Sequence, residues 1–523
     1  MLKPNFLWVL VHIAGAGGIV FVLVHAYHMY STNPMVTTLY DTLYPINEVP
    51  FPGVAICNNN RISYNAAVTL SKQLTDKYKS RFNATYFLEN VKLLGKLYDS
   101  EAVVESEAIA FQTYLDMFES NDTLNLSNIT TLMKKLSPEC SDMLLRCIWR
   151  GVELPCMIKK SMNEFRLTQY GYCCTFNYVR YDYGQALKGD SYFIEETGPD
   201  SGLILLVDGS VHDYHYPLFS FKGFIVRMCA LKARVHINKQ DVYKIISSNF
   251  TKKSFFVQIF NPLEYPDVPS GGVSEKLVEV GTEAFIRIDS ITFITNDESR
   301  RFAPETRSCL FSNERPETFG QNYKRSDCVV GCRIASIHSL CNCVPFFVPV
   351  IEKKNDFSNL QLAHKCTLQH SSCLTHYRAK WATFLLTLEK FPGLEKDIED
   401  GLYCPQCLAT CSETIYNVKS TALPLLVPPK NSNTILRNIV NVSDVAVIRI
   451  YHGQPETWLY KQAPAVQWFE IISNLGGICG VITGFSLISL VEIMYFIVRR
   501  IVIEVSNWYT KSTRRDETLK IMP

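Results

Sequence analysis

Two apolar runs, one near each end, set the plan of this chain. Phe6–Met29, "FLWVLVHIAGAGGIVFVLVHAYHM", has no Asp, Glu, Lys or Arg, and a second run covers roughly Ile471–Val498. Each exceeds the about 20 residues a helix needs to cross the hydrocarbon core of a bilayer. Residues 30–463 between them are too polar to span. The first run is N-terminal and contains "AGAGG", as a signal peptide would, but it outruns the about 7–15 residues of a signal h-region. The expectation is an uncleaved first span at 6–29 after a short segment 1–5, a second span within 464–498, and a tail at 499–523.

Flanking charge orients the two spans. Arg499 and Arg500 follow the second run directly, with Lys511, Arg514, Arg515 and Lys520 beyond, which places that end in the cytosol. The N-terminus then returns to the cytosol, and 30–463 is expected outside the cell, at the plasma membrane. The N-x-S/T triplets at Asn83, Asn121, Asn125, Asn128, Asn249 and Asn441 all fall between the spans, the side on which glycans are added.

The cysteines fit the same reading. Of 18, Cys479 lies in the second run and Cys229 stands alone. Cys57, Cys140, Cys147, Cys156, Cys173 and Cys174 form one even set. Cys309, Cys328, Cys332, Cys341, Cys343, Cys366, Cys373, Cys404, Cys407 and Cys411 form another. Even sets in an oxidising compartment predict disulfides. The rival is zinc at "CNC" (341–343) and "CPQC" (404–407), with His364 and His370 nearby, a reading that suits a cytosolic protein better. The second set is near-palindromic, with 328/332 and 407/411 each four apart, which suits a nested ladder between two antiparallel segments. Spacing alone does not fix the partners.

Along the outer region, Pro50 and Pro52 make Val49–Asn60 extended, and residues 62–136 favour helices. "GLILLVDG", "SFFVQIF", "EAFIRIDSITFIT" and "DVAVIRIYHG" read as strands, with helix again at 378–391. The fold class is thus a membrane protein with two spans flanking a disulfide-rich α+β domain. A net charge of +2 with scattered basic residues excludes a nucleic-acid footprint. There is no G-x-S-x-G, H-E-x-x-H, P-loop or G-x-G-x-x-G, so no enzyme constellation and no cofactor or metal is expected.

The second run carries more than an anchor needs. Ser473, Gly476/Gly477, Gly480 and Thr483/Gly484 share one helical face. Stripes of this kind let membrane helices pack closely. Packing does not account for Ser486, Ser489 and Glu492, polar groups that persist at membrane depth where they are buried or face water. A ring of such segments would offer oxygens in place of an ion's hydration shell. Alternatively, Glu492 is an interfacial carboxylate paired with Arg499 or Arg500.

These residues resemble the degenerin/epithelial sodium channel superfamily, and most of all its insect pickpocket branch. "FPGVAICNN" follows the first span as in that family. "LSPECSDMLLRCIWRG" (136–151) and "GYCCTFN" (171–177) resemble pickpocket signatures, the ten-cysteine block matches the family's nested set, and "SNLGGICGVITGFSLISLVEI" is similar to its second-span motif. The resemblance implies a hand-like ectodomain around a β-sheet palm and a homo- or heterotrimer with related subunits. It implies a ligand- or mechanically gated, amiloride-sensitive sodium channel in membrane lipid, with a non-conducting accessory subunit as the alternative. It assigns Gly484, Phe485 and Ser486 to the selectivity filter, Gly480 to the amiloride position, Ser473 to the degenerin gating position and Glu492 to a carboxylate below the filter. It also implies the pairs Cys309–Cys411, Cys328–Cys407, Cys332–Cys404, Cys341–Cys373 and Cys343–Cys366. Trimeric ATP-gated channels share the two-span plan, but this cysteine count and the G-x-S span fit them poorly.

Two departures stand out. The family's His-Gly pair before the first span has no counterpart in Met1–Asn5, which implies a truncated segment or a subunit that gates with partners. "FKGF" (221–224) is separated from "FVQIFNPLEYPDV" by a locally basic insertion at 225–254 that holds Cys229, read as a retained intron or a lineage-specific loop.

Overall fold

A computed structural model describes residues 4–32, 34–78, 83–99, 105–116, 128–156, 164–180, 191–217, 254–314, 322–348, 364–385, 401–427, 435–437, 439, 441–484 and 486–519. The chain divides into two compact units. One comprises 1–38, 296–307 and 462–523, the other 39–295 and 308–461.

The larger unit is a two-sheet sandwich with a helical layer. Its first sheet runs Met35–Pro45, Glu456–Pro464, Thr282–Thr295, Val445–His452, Leu203–Asp208, Leu144–Trp149 and Val152–Leu154, and Glu413–Pro424 also pairs with Thr282–Thr295. That last pairing is antiparallel from Thr282↔Pro424 to Phe293↔Glu413, whereas Thr282–Thr295 runs parallel to Val445–His452. The second sheet is antiparallel: Ser274–Glu279, Ser254–Phe260, Gly53–Asn58, Gly171–Phe176 and Glu164–Thr168.

Alternation along the strands explains the sandwich. Leu203, Leu205 and Val207, Ile286 and Ile288, and Ala446, Ile448 and Ile450 point to the same core as Val54, Ile56, Phe255, Val257 and Ile259, as a period of two requires. The second sheet's other face is covered too, with Ala55, Cys57, Cys173, Phe256 and Phe260 in a separate cluster. Strands buried on both faces read as continuous apolar runs, as "SFFVQIF" does. Gly202 is required where the chain crosses Val445–His452, because a Cβ there would lie 2.0 Å from the carbonyl oxygen of Ile450.

The helix-favouring stretch 62–136 forms Tyr64–Tyr78, Ala84–Asp99, Glu105–Asp116 and Ile129–Leu136. Leu74, Phe87, Val91, Leu94, Phe111 and Met133 fill the core between them. Asn128 caps the last helix by accepting the N–H of Thr130 at 3.1 Å. Asn83, Asn128 and Asn441 are exposed; Asn121, Asn125 and Asn249 lie outside the described residues.

Sixteen cysteines form eight disulfides, which closes the zinc reading of "CNC" and "CPQC". In the second set the bonds are Cys309–Cys411, Cys328–Cys407, Cys332–Cys404, Cys341–Cys373 and Cys343–Cys366, the nested pairs that the family resemblance implies. Helix Arg325–Cys341 presents Cys328 and Cys332 one turn apart to the Cys404–Cys407 turn. In the first set, Cys57 joins Cys173, Cys140 joins Cys174 and Cys147 joins Cys156. Cys173 and Cys174 are neighbours on one strand, so they face opposite sides of the sheet and meet different partners.

Two boundaries differ from the sequence reading. The expected helix at 378–391 stops at Arg378–Ala382, and Phe384–Leu385 pairs as a short parallel strand with Leu402–Tyr403. Ser254, taken as the end of the insertion at 225–254, opens strand Ser254–Phe260 opposite Glu279. Residues 218–253, with Cys229, lie outside the described residues.

A candidate ion pathway at a broken helix

The smaller unit holds both apolar runs. The first is helix Pro4–Thr32, longer at both ends than the expected 6–29. Its last turn is closed by the hydroxyls of Ser31 and Thr32, which donate to the carbonyl of His28 at 3.0 and 2.9 Å.

The second run is two helices, Trp468–Thr483 and Leu487–Leu519, bent by 86° where they meet. The expected second span over Ile471–Val498 thus falls on a broken helix pair, and the second helix continues through Arg499 and Arg500 into the tail. The first begins at Gln467, whose N–H is accepted by Glu470 at 3.0 Å in a capping box. It ends because Gly484 adopts φ +66°, a left-handed conformation that glycine takes without steric cost. The N–H of Gly484 returns to the carbonyl of Gly480 at 3.0 Å.

Ser486 starts the second helix. Its carbonyl accepts the N–H of Leu490 at 3.2 Å, its hydroxyl accepts the N–H of Ser489 at 3.3 Å, and Ser489 Oγ accepts the N–H of Ser486 at 3.3 Å. The two serines thus cap the turn reciprocally, as in a capping box. The two helix ends at the break therefore differ. A helix leaves its last carbonyls without intrahelical donors and carries negative partial charge there. The N–H of Gly484 occupies the carbonyl of Gly480, while serine hydroxyls occupy N–H groups on the other side of the break.

The small-residue stripe also finds its place. Helix Pro4–Thr32 approaches Trp468–Thr483 where a Cβ on Gly15 would lie 3.2 Å from Ile482 Cγ2. At about 100° per residue, Ile482 lies roughly half a turn round from Ser473, Gly476/Gly477 and Gly480. The first span therefore covers the opposite face. A Cβ on Gly476 or Gly477 would meet nothing within 4 Å, and Ser473 and Gly480 are exposed in the single chain. The stripe is not the seam between this chain's own two spans. Gly484 and Thr483, which the sequence grouped with it, belong to the break.

Glu492 is exposed, about one and a half turns into the second helix, and pairs with neither Arg499 nor Arg500; Arg500 lies 3.5 Å from Glu504 instead. Phe485 falls outside the described residues.

The sequence pattern of the amiloride-sensitive sodium channel family matches residues 1–496. The chain belongs to that family. Pickpocket protein 28 of Drosophila melanogaster is 22% identical over 498 residues, 92% of this chain and 72% of that protein. The sodium channel protein Nach of Drosophila ananassae is 22% identical over 494 residues, covering 94% and 81%. The bile acid-sensitive ion channel of Mus musculus is 22% identical over 477 residues, covering 89% and 77%. Members of the amiloride-sensitive sodium channel family are membrane-embedded ion channels rather than enzymes, and they assemble as oligomers of related subunits. This chain is such a channel subunit, with an extracellular-like disulfide-rich domain, an N-terminal apolar helix and a C-terminal helix pair.

One contact in the smaller unit escaped the sequence reading. Tyr30, on the last turn of the first helix, meets Phe302 with ring centroids 6.2 Å apart. Segment 296–307 is tied to the approach to the second helix, since the N–H of Asn296 donates to Gln462 O at 2.9 Å and Gln462 Nε2 to Arg307 O at 3.3 Å. Ala465 N–H in turn donates to Pro34 O at 2.8 Å. "SRRFAPE" has no periodicity that would mark Phe302 in advance.

Proposed function

We propose that this chain is a pore-forming subunit of a trimeric, sodium-preferring, amiloride-sensitive channel, as a homomer or with related subunits. Residues 30–463 face the outside and both termini face the cytosol. The observation that carries the reading is the break at Gly484. It supports a pathway in which the carbonyl end of helix Trp468–Thr483 and the Ser486 hydroxyl, repeated around an axis, replace part of a cation's hydration shell.

In this reading Gly484, Phe485 and Ser486 form the narrow element, Gly480 flanks the amiloride position above it, and Glu492 draws cations below it. Ser473 is the gating position. The uncovered stripe supports its assignment to a pore or to a neighbouring subunit rather than to the first span. Asn83, Asn121, Asn125, Asn128 and Asn441 are the glycan acceptors.

The test is whole-cell current from cells expressing the chain with Ser473→Val or Ser473→Phe, with and without amiloride. A bulky side chain on the stripe should hold the pathway open without the natural stimulus. A constitutive inward sodium current blocked by amiloride is the expected result. Surface-delivered protein that stays silent would overturn the pore-forming reading in favour of a non-conducting accessory subunit.

A further inference from the structure

Ser489 lies in the first turn of helix Leu487–Leu519, three residues beyond Ser486. It is half-buried, while Ser486 and the neighbours Ile488 and Leu490 are exposed in the single chain. Its Oγ accepts the N–H of Ser486 at 3.3 Å and lies 3.2 Å from the Ser486 hydroxyl. The Ser486 Oγ in turn accepts the N–H of Ser489 at 3.3 Å. A helix start is capped by the side chain of the residue that opens it, here Ser486. Ser489 does something further. It engages both the N–H and the hydroxyl of the residue whose oxygen lines the proposed pathway.

Two physical consequences follow at a helix start. Free N–H groups and positive partial charge there attract anions and oppose cations. The serine oxygens turn the N–H groups of Ser486 and Ser489 inward, so neither faces a passing cation. The hydroxyl pair also has two arrangements, because a serine oxygen carries one hydrogen and two lone pairs. If Ser489 donates, the Ser486 oxygen spends both lone pairs inside the turn and its own hydrogen points outward. If Ser486 donates, Ser489 Oγ accepts its O–H as well as its N–H, and one Ser486 lone pair stays open. Only the second arrangement suits a cation.

We propose that Ser489 is a positioning residue for cation selection: it takes the O–H and N–H of Ser486, so that a Ser486 lone pair is presented to the ion. This role rests on the pore-forming reading above and adds to it a residue that itself touches no ion. Without the Ser489 hydroxyl, the N–H of Ser486 loses its acceptor and the Ser486 hydrogen is free to turn towards the pathway. Potassium, which sheds its hydration shell more readily than sodium, is then penalised less by the lost oxygen.

The test is the reversal potential of whole-cell current with sodium outside and potassium inside, in cells expressing the full chain with Ser473→Val. Added to that background, Ser489→Ala and Ser489→Val should each lower the sodium-to-potassium permeability ratio about fivefold, the effect of one lost hydrogen bond. Ser489→Thr should keep the ratio of the background. Threonine and valine share a shape, so their difference reads the hydroxyl alone, and it decides the matter if Ser489→Ala does not reach the surface. A ratio unchanged in Ser489→Val, with only surface protein reduced, would make Ser489 a helix cap and nothing more. A ratio lowered alike by threonine and valine would make side-chain volume the cause. Either result overturns the proposal. A silent Ser473→Val background with protein at the surface would instead remove the pore-forming reading, and this role with it.

Discussion

The N–H of Gly484 reaches the carbonyl of Gly480 at 3.0 Å while its own φ of +66° turns the chain out of the helix. A Cβ at Gly484 would meet nothing within 4 Å. Its constraint is therefore conformational rather than steric within the chain.

A side chain at this position is strained by about 1–2 kcal/mol in the left-handed region, less for Asn, whose short polar side chain tolerates it. Gly484→Val is expected to lower sodium current about tenfold or shift its reversal potential, with surface protein retained. Gly484→Asn should lose less than Gly484→Ala. Whole-cell currents of the three variants, normalised to surface biotinylation, check that order.

Phe302 against Tyr30 joins the C-terminal end of the first helix to segment 296–307. Deleting the ring removes a contact worth about 1 kcal/mol beyond its buried area. Phe302→Ala, placed on the Ser473→Val background, should change the size or time course of the current while surface level and amiloride block stay as they were. An unchanged current would show that the contact carries no gating load.

The disulfides should not be equal. Cys57–Cys173 spans 116 residues and Cys147–Cys156 only 9. In the chain-entropy account, the long loop stabilises by about 2 kcal/mol more. Replacing both members of the long pair by Ser should therefore cost more melting temperature and more surface delivery than the same change in the short pair. Thermal melts and surface biotinylation would measure it.

Two buried groups give opposite pH signatures. Burial pushes the Glu264 carboxyl up to about 7, with Lys324 at 3.9 Å opposing and Glu413 adding to the rise. From the ordinary 4.5 to about 7 the folded chain holds a proton that the unfolded chain lacks, so this contribution is full below 4.5 and lost as pH rises through about 7. Burial pulls His452 down from 6.5 to about 4, so its contribution is present above 6.5 and lost as pH falls towards 4. Glu264→Gln should melt above the wild type at alkaline pH and converge with it in acid. His452→Gln should gain on the wild type only in acid. Melting curves of the full chain across that range read both differences.

How much of this was legible beforehand differs by element. The spans declared themselves by length and lack of charge. The strand runs did so by apolar content, and Pro50 and Pro52 marked Val49–Asn60 as extended chain. The nested cysteine pairs followed from the family resemblance. The first set stayed open because its pairing depends on which strands lie side by side. Cys57 faces Cys173 only because Gly53–Asn58 lies next to Gly171–Phe176.

The sequence by itself determined the two apolar runs, the disulfide-rich region between them and the small and polar character of the second run, since these depend on composition and local periodicity. Tertiary structure alone decided that the second run breaks at Gly484 and that its small stripe faces away from the first helix. Left-handed backbone and helix-on-helix faces each depend on residues far apart in the chain or on a choice among conformations that glycine permits. Such choices are made by packing and leave no periodic trace in the order of residues.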